Sequence, residues 1–160
     1  MDRLNLARAF ALLTPTLLMA GALGSQYIGG LYPCEMCHWQ RWPHYAAIPL
    51  ALLAILLRRQ GLGRPFLVLA ALAILTSGAI GAFHAGVEYG WWEGLTTCSS
   101  IADSGGSVDD MLRNLMQAPV VRCDEAQWTL AGISLAGFNA IFSIGAALTI
   151  FGLMAKARKS

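Results

Sequence analysis

Four residues, Cys34-Glu35-Met36-Cys37, with Arg41 four positions further on, hold the chain's clearest capacity for chemistry. A C-x-x-C pair cycles between dithiol and disulfide without large movement. A guanidinium one helical turn away stabilises the thiolate, which is the reactive form. The i, i+4 spacing puts Cys37 and Arg41 on one helix face if a helix starts near Cys37. Two more cysteines, Cys98 and Cys123, lie far along the chain. Four cysteines allow three pairings. Local spacing favours Cys34 with Cys37, which leaves Cys98 with Cys123.

The segments that must position these residues are apolar. The 160 residues are 56% hydrophobic and 12% charged, with a mean hydropathy of +0.55. That is too apolar for an ordinary soluble domain. No Asp, Glu, Lys or Arg occurs in 9–34, 42–57, 65–87 or 126–155. A helix needs about 20 apolar residues to cross the hydrocarbon. Four spans are predicted, at 10–28, 42–57, 65–85 and 130–154, in a single membrane domain. The second is short and holds Pro43 and Pro49. Pro43 suits a first helical turn, whereas Pro49 should kink the interior. Arg3, Arg8 and Ala20-Gly21-Ala22 echo a cleaved signal peptide. The apolar run continues past that point, which favours a retained span.

Charge sets the expected orientation. The N-terminal tail, the 58–64 loop and the C-terminal tail carry Arg3, Arg8, Arg58, Arg59, Arg64, Lys156, Arg158 and Lys159 against Asp2 alone. The 29–41 and 86–129 loops carry eight acids and only Arg41, Arg113 and Arg122 as cations. The positive-inside rule therefore predicts both termini in the cytoplasm, which an even number of spans allows. The net charge of +2 is the residue of two opposite surfaces and not a nucleic-acid signal. All four cysteines fall in the two outward loops, where disulfides persist. In the larger loop, 99–107 is rich in Ser, Gly and Asp and reads as flexible. Ser107-x-x-Asp110 then resembles a helix cap and Pro119 a stop. Val108, Met111, Leu112, Leu115 and Met116 share one face. They predict a short amphipathic helix, lying on the membrane surface or covering the bundle top. Every Trp and Tyr falls near an outward helix end, which fits an aromatic belt.

An arginine at the membrane edge needs a reason, because its burial is costly. Arg41 faces outward, against the positive-inside trend. His84 closes the third span at the same level, and Ser77, Gly81, His84 and Glu88 share a face. An apolar groove with Arg41 on one wall and His84 on the other suits a quinone. Its ring and isoprenoid tail want hydrocarbon, and its carbonyl oxygens want donors. His44 reads as structural. The sequence Cys34-x-x-Cys37-His38 also fits c-type haem attachment, making a membrane cytochrome the alternative. The 29–41 loop is too short to wrap a porphyrin, and haem leaves Cys98 and Cys123 unexplained. A four-thiolate zinc site lacks a second C-x-x-C, so no metal is expected. Two inert structural disulfides are a third reading.

Taken together, these residues resemble the disulfide bond formation protein B (DsbB) family of bacterial inner-membrane thiol oxidases. The likeness runs over nearly the whole chain. It rests on Tyr32-Pro33-Cys34-x-x-Cys37-x-x-Gln40-Arg41, His84, Gly86-Val87-Glu88, Trp92-x-Gly94, Cys98, Cys123 and Trp128. Met36 departs from the leucine expected there, a change between apolar residues of similar volume. The resemblance implies an antiparallel four-transmembrane-helix bundle whose large periplasmic loop carries the short amphipathic helix. Small residues such as Gly21, Ser25, Gly78, Gly81, Ala136 and Ala140 would serve the helix contacts. It also implies an electron route. A periplasmic DsbA-like oxidase of the thioredoxin fold attacks Cys98 and frees Cys123. Cys123 meets Cys34, and Cys37 reduces a bound ubiquinone or menaquinone with help from Arg41. Trp128 would help position the loop. A DsbA couple near about −120 mV is too oxidising for an ordinary dithiol pair to oxidise, so the membrane quinone pool must supply the drive.

Overall fold

The computed structural model describes residues 2–94 and 121–158. Four helices carry the fold: α1 (Arg3–Tyr27), α2 (Glu35–Leu56), α3 (Gly63–Glu88) and α4 (Leu135–Arg158). Short connections make the first three antiparallel neighbours. Each helix packs mainly on two others in the order α1, α2, α3, α4 and back to α1, and α1 also touches α3 across the bundle. Three of them, α1, α3 and α4, are long and apolar enough to cross a membrane. Large side chains on their outer faces are exposed, among them Leu17, Leu69, Phe142 and Leu148. Apolar outer faces of this kind belong in lipid. The result is an all-helical membrane protein.

Local chemistry explains the ends of the elements. The Asp2 carboxylate caps α1 by accepting from the Leu4 N–H. Cys34 caps α2, its sulfur accepting the Cys37 N–H at 3.3 Å. Helix α2 therefore starts seven residues before the predicted span and includes Cys37 and Arg41. It continues through Pro43 and Pro49. Helix α4 starts five residues later than the predicted fourth span. In between, β1 (Thr129–Leu130) and β2 (Ile133–Ser134) pair antiparallel. The two residues joining them, Ala131 (φ 52°) and Gly132 (φ 78°), both adopt left-handed conformations. That is the backbone of a two-residue hairpin turn. The Tyr89 hydroxyl donates to the Gly132 carbonyl at 2.9 Å and accepts from the Ser134 N–H at 3.0 Å, tying the hairpin to the end of α3.

Small residues let the helices approach closely. One end of the core is built from Ala7, Ala11, Ala47, Ala51, Ala70 and Ala71 around Leu67, Ile74 and Ile150. A Cβ added at Gly78 would come within 2.8 Å of Ile144, and one at Gly81 within 3.0 Å of the Ala136 carbonyl. These glycines hold α3 against α4, as expected for small-residue packing between membrane helices. Gly21 differs: a Cβ there would meet nothing within 4 Å. The proposed amphipathic helix, the 99–107 segment and Cys98 lie outside the described residues.

Candidate redox site

The thiol pair sits where the N-terminus of α2 meets the C-terminus of α3. Cys34 is 2% exposed and packs with Met36, Val87, Val121 and Cys123. Its thiol lies 3.0 Å from Cys37 Sγ and donates to it. That hydrogen bond, rather than Arg41, is the first cause holding the Cys37 thiol below its ordinary value. The same bond, with burial, pushes Cys34 up. Position in the first turn of α2 works in the same direction for Cys37, because the unpaired N–H groups there favour negative charge. The two thiols are thus split in acidity, Cys37 the stronger acid and Cys34 the weaker.

Arg41 is less direct than the spacing predicts. Its guanidinium donates to Gln26 Oε1 at 2.5 Å and to the Ala22 carbonyl at 3.4 Å, both on α1. Its charge acts on Cys37 through space, as the smallest of several influences. The i, i+4 geometry holds, but the side chain reaches across to the neighbouring helix.

His84 is buried on the other side of the pair. Gln40 Nε2 donates to His84 Nδ1 at 2.8 Å and to the Met36 carbonyl at 3.3 Å. The second ring nitrogen, Nε2, therefore carries the hydrogen. It lies 3.6 Å from Cys34 Sγ and 3.7 Å from Glu88 Oε1. Glu88 in turn accepts from the Ser134 hydroxyl on the hairpin.

Segment 121–128 closes over this centre. The Gln127 amide donates to the Tyr32 carbonyl at 2.6 Å. Cys123 is 2% exposed and disulfide-bonded. Its sulfur lies within 4.8 Å of Cys34 Sγ and of a His84 ring nitrogen. Three sulfurs are thus gathered at one end of the bundle, and Cys98 alone of the predicted site residues falls outside the described residues.

Two cavities meet at Cys37 and Arg41. The smaller, about 50 Å³, is bordered by Cys34, His84, Glu88 and Trp128. The larger, about 180 Å³, is an apolar cleft between α1, α2 and the start of α4. Leu17, Leu18, Ala22, Leu135 and Phe138 line it, with Cys37, Gln40, Arg41, His44 and Asn139 as its polar wall. The groove expected between Arg41 and His84 is therefore divided. Arg41 borders the cleft, whereas His84 sits behind the thiols and does not. Buried Cys34, packed with Met36, Val87 and Cys123, opens only onto the cavity of about 50 Å³, which is too small for a porphyrin.

Sequence reasoning passed over Gln40 as a contact residue and missed Asn139. Asn139 Nδ2 donates to Gln40 Oε1 at 2.8 Å, so an amide chain runs from the cleft to His84. The available signal was a lone amide inside an uncharged helix, which requires partners in hydrocarbon. His44, read as structural, belongs to the same chain through Asn139.

A helical membrane protein that gathers a vicinal thiol pair and a third, disulfide-bonded cysteine at one end is a membrane thiol–disulfide oxidoreductase. The family model described as disulfide bond formation protein DsbB matches residues 4–153. The chain belongs to the DsbB family. It is 31% identical over 150 residues to disulfide bond formation protein B of Marinobacter nauticus, covering 89% of this chain and 85% of that one. Against disulfide bond formation protein B of Verminephrobacter eiseniae it is 30% identical over 143 residues, 87% and 79% of the two chains. A Rickettsia prowazekii protein of undescribed function is 26% identical over 145 residues, 89% and 83% of the chains. No solved structure matched.

Proposed function

We propose that the protein reoxidises a periplasmic DsbA-like dithiol oxidase and passes the electrons to membrane quinone. It does so from the bacterial inner membrane, with four spans and both termini cytoplasmic. The observation that carries this reading is the position of Cys37. It ends a sulfur series, Cys123, Cys34, Cys37, and it also borders the apolar cleft.

The cleft suits a quinone in the chemistry of its lining. Its apolar walls accept a ring and tail, and Arg41 offers N–H donors at the mouth. A bound quinone accepts two electrons and two protons. In the proposed cycle the partner's thiolate attacks Cys98, forming a mixed disulfide and releasing Cys123 as thiolate. Cys123 attacks Cys34 of the Cys34–Cys37 disulfide and releases Cys37 as thiolate. The partner's second thiol resolves its mixed disulfide, and Cys98 then attacks Cys123 and restores Cys34 as a thiol. The Cys34 thiol hydrogen-bonds the Cys37 thiolate and supports its charge beside Arg41. When Cys34 and Cys37 return to the disulfide, the pair gives up two electrons and the Cys34 proton, and the second proton that quinone reduction requires comes from water. His84 Nε2–H faces Cys34 Sγ and would stabilise that sulfur whenever it carries charge. Gln40 holds the ring in the tautomer this requires.

Cys37→Ser tests the route. Quinone reduction by the purified protein should fall to background, while Cys98 still traps a DsbA-like partner as a mixed disulfide. Retained quinone turnover in this variant would sink the proposal. Organic extraction of the wild-type protein should yield ubiquinone or menaquinone, and identifies which.

A further inference from the structure

The polar wall of the cleft contains one atom without a hydrogen-bond partner among the described residues. His44 is 3% exposed, and its ring is held on one side only. Nε2 lies 3.0 Å from Asn139 Oδ1 and 2.9 Å from Ser77 Oγ. Asn139 spends its Nδ2 hydrogens on Gln40 Oε1, the Ser77 carbonyl and Ser77 Oγ. Its Oδ1 therefore faces His44 and accepts; it also accepts from Ser143 at 2.9 Å, so the Ser143 oxygen, 3.5 Å from Nε2, has already spent its hydrogen. Ser77 spends its own hydrogen on the Gln40 carbonyl at 2.7 Å. Every neighbour of Nε2 is thus an acceptor, and Nε2 must carry the ring hydrogen. A second hydrogen would leave an unpaired charge one turn from the Arg41 guanidinium, at high cost in this setting. Nδ1 is then a bare acceptor, and it is buried with no hydrogen-bond partner among the described residues. A buried polar atom left unsatisfied costs about 1–3 kcal/mol, so an acceptor kept bare beside a cleft points to a ligand that brings a donor.

We infer that His44 Nδ1 accepts a hydroxyl of the cleft's ligand, so that this wall recognises the reduced, dihydroxy form of a quinone. The inference rests on the proposed function and adds a redox-selective contact to it. The two polar ends of the cleft have opposite hydrogen-bond character. Arg41 has only donors and suits a carbonyl or a phenolate oxygen. His44 Nδ1 has only a lone pair and suits a hydroxyl. They stand three residues apart on α2 and line the same cleft. An oxidised quinone would present its second oxygen to Nδ1 lone pair against lone pair. The dihydroxy form would present O–H. His44 thereby biases the cleft towards the reduced product of thiol oxidation and favours electron transfer out of the thiol pair.

The test compares short-chain ubiquinol and ubiquinone binding to detergent-purified wild-type and His44→Phe protein by equilibrium dialysis, with Cys37→Ser added to both to stop turnover. The variant should lose about tenfold in ubiquinol affinity and less than about twofold in ubiquinone affinity. Equal losses for both forms, or none for ubiquinol, would overturn the inference and mean that water satisfies Nδ1. Failure of wild-type-background protein to bind either form would instead overturn the proposed function. A second measurement needs no substitution in the cleft wall. In ¹⁵N-histidine-labelled protein the His44 Nδ1 resonance should move on addition of ubiquinol and not of ubiquinone. An unmoved resonance at saturating ubiquinol contradicts the inference even if His44→Phe fails to fold.

Discussion

In the first turn of α2 the Cys37 sulfur meets one close donor, the Cys34 S–H at 3.0 Å. Arg41 is committed to Gln26 and Ala22 instead. The two cysteines therefore separate in acidity, Cys37 down and Cys34 up. A lowered thiol pKa means that the thiolate predominates above that pKa and is lost as pH falls through it. In the reduced protein, iodoacetamide should alkylate Cys37 with a pH inflection below the ordinary thiol value of about 8.5. Cys34 should stay unmodified over the same range. Cys34→Ala removes the donor, and the Cys37 inflection should rise. An inflection unchanged by Cys34→Ala would return the main role to Arg41. The cysteines and Arg41 were legible because their spacing is local. The Gln40–His84 contact joins residues 44 positions apart in the chain, and no local period encodes it.

Helix α3 positions His84 and Glu88 from beneath, and its last turn is braced by aromatics. Trp92 folds back so that its Nε1 donates to the Phe83 carbonyl at 2.9 Å, and its ring stacks on Phe83 at 5.7 Å between centroids. Only a glycine at position 86 permits this. A Cβ there would lie 2.0 Å from the Trp92 ring. Gly86→Ala should expel Trp92 and cost about 1–3 kcal/mol, as overpacking does. The thermal midpoint should fall and the tryptophan emission should shift as the ring moves into a new environment. A wild-type midpoint and spectrum would show that the stack is not formed. At this scale the sequence announces the long uncharged helices and the small residues, but not the hairpin. Ala131-Gly132 lacks the Asn-Gly or Asp-Gly signature, and Ala131 carries the left-handed conformation without it.

Across the whole molecule, charge and chemistry separate to opposite ends. Arg3 donates to the Lys156 carbonyl, and Leu4, Arg64, Met154 and Ala155 border one cavity. The basic starts of α1 and α3 and the end of α4 therefore lie together. The cysteines, the hairpin and the Trp92 stack lie at the other end. Helix α2 connects the two, and its 22 residues reach about 33 Å, against a hydrocarbon core of about 30 Å. Its composition is less apolar than that of the other three because Gln40, Arg41 and His44 face the cleft and the buried amide chain. This is also why hydropathy reads it weakly while its role is central. If the basic end is cytoplasmic, α2 must cross, since it carries the chain from Cys34 to Arg58. Alkaline phosphatase fused after residue 94 should be active in intact cells, and fused after residue 60 it should be inactive. A fluorescent protein on the C-terminus should be bright. Activity at residue 60 and none at residue 94 would mean that the bundle is inverted. The thiols would then face the cytoplasm, out of a periplasmic partner's reach.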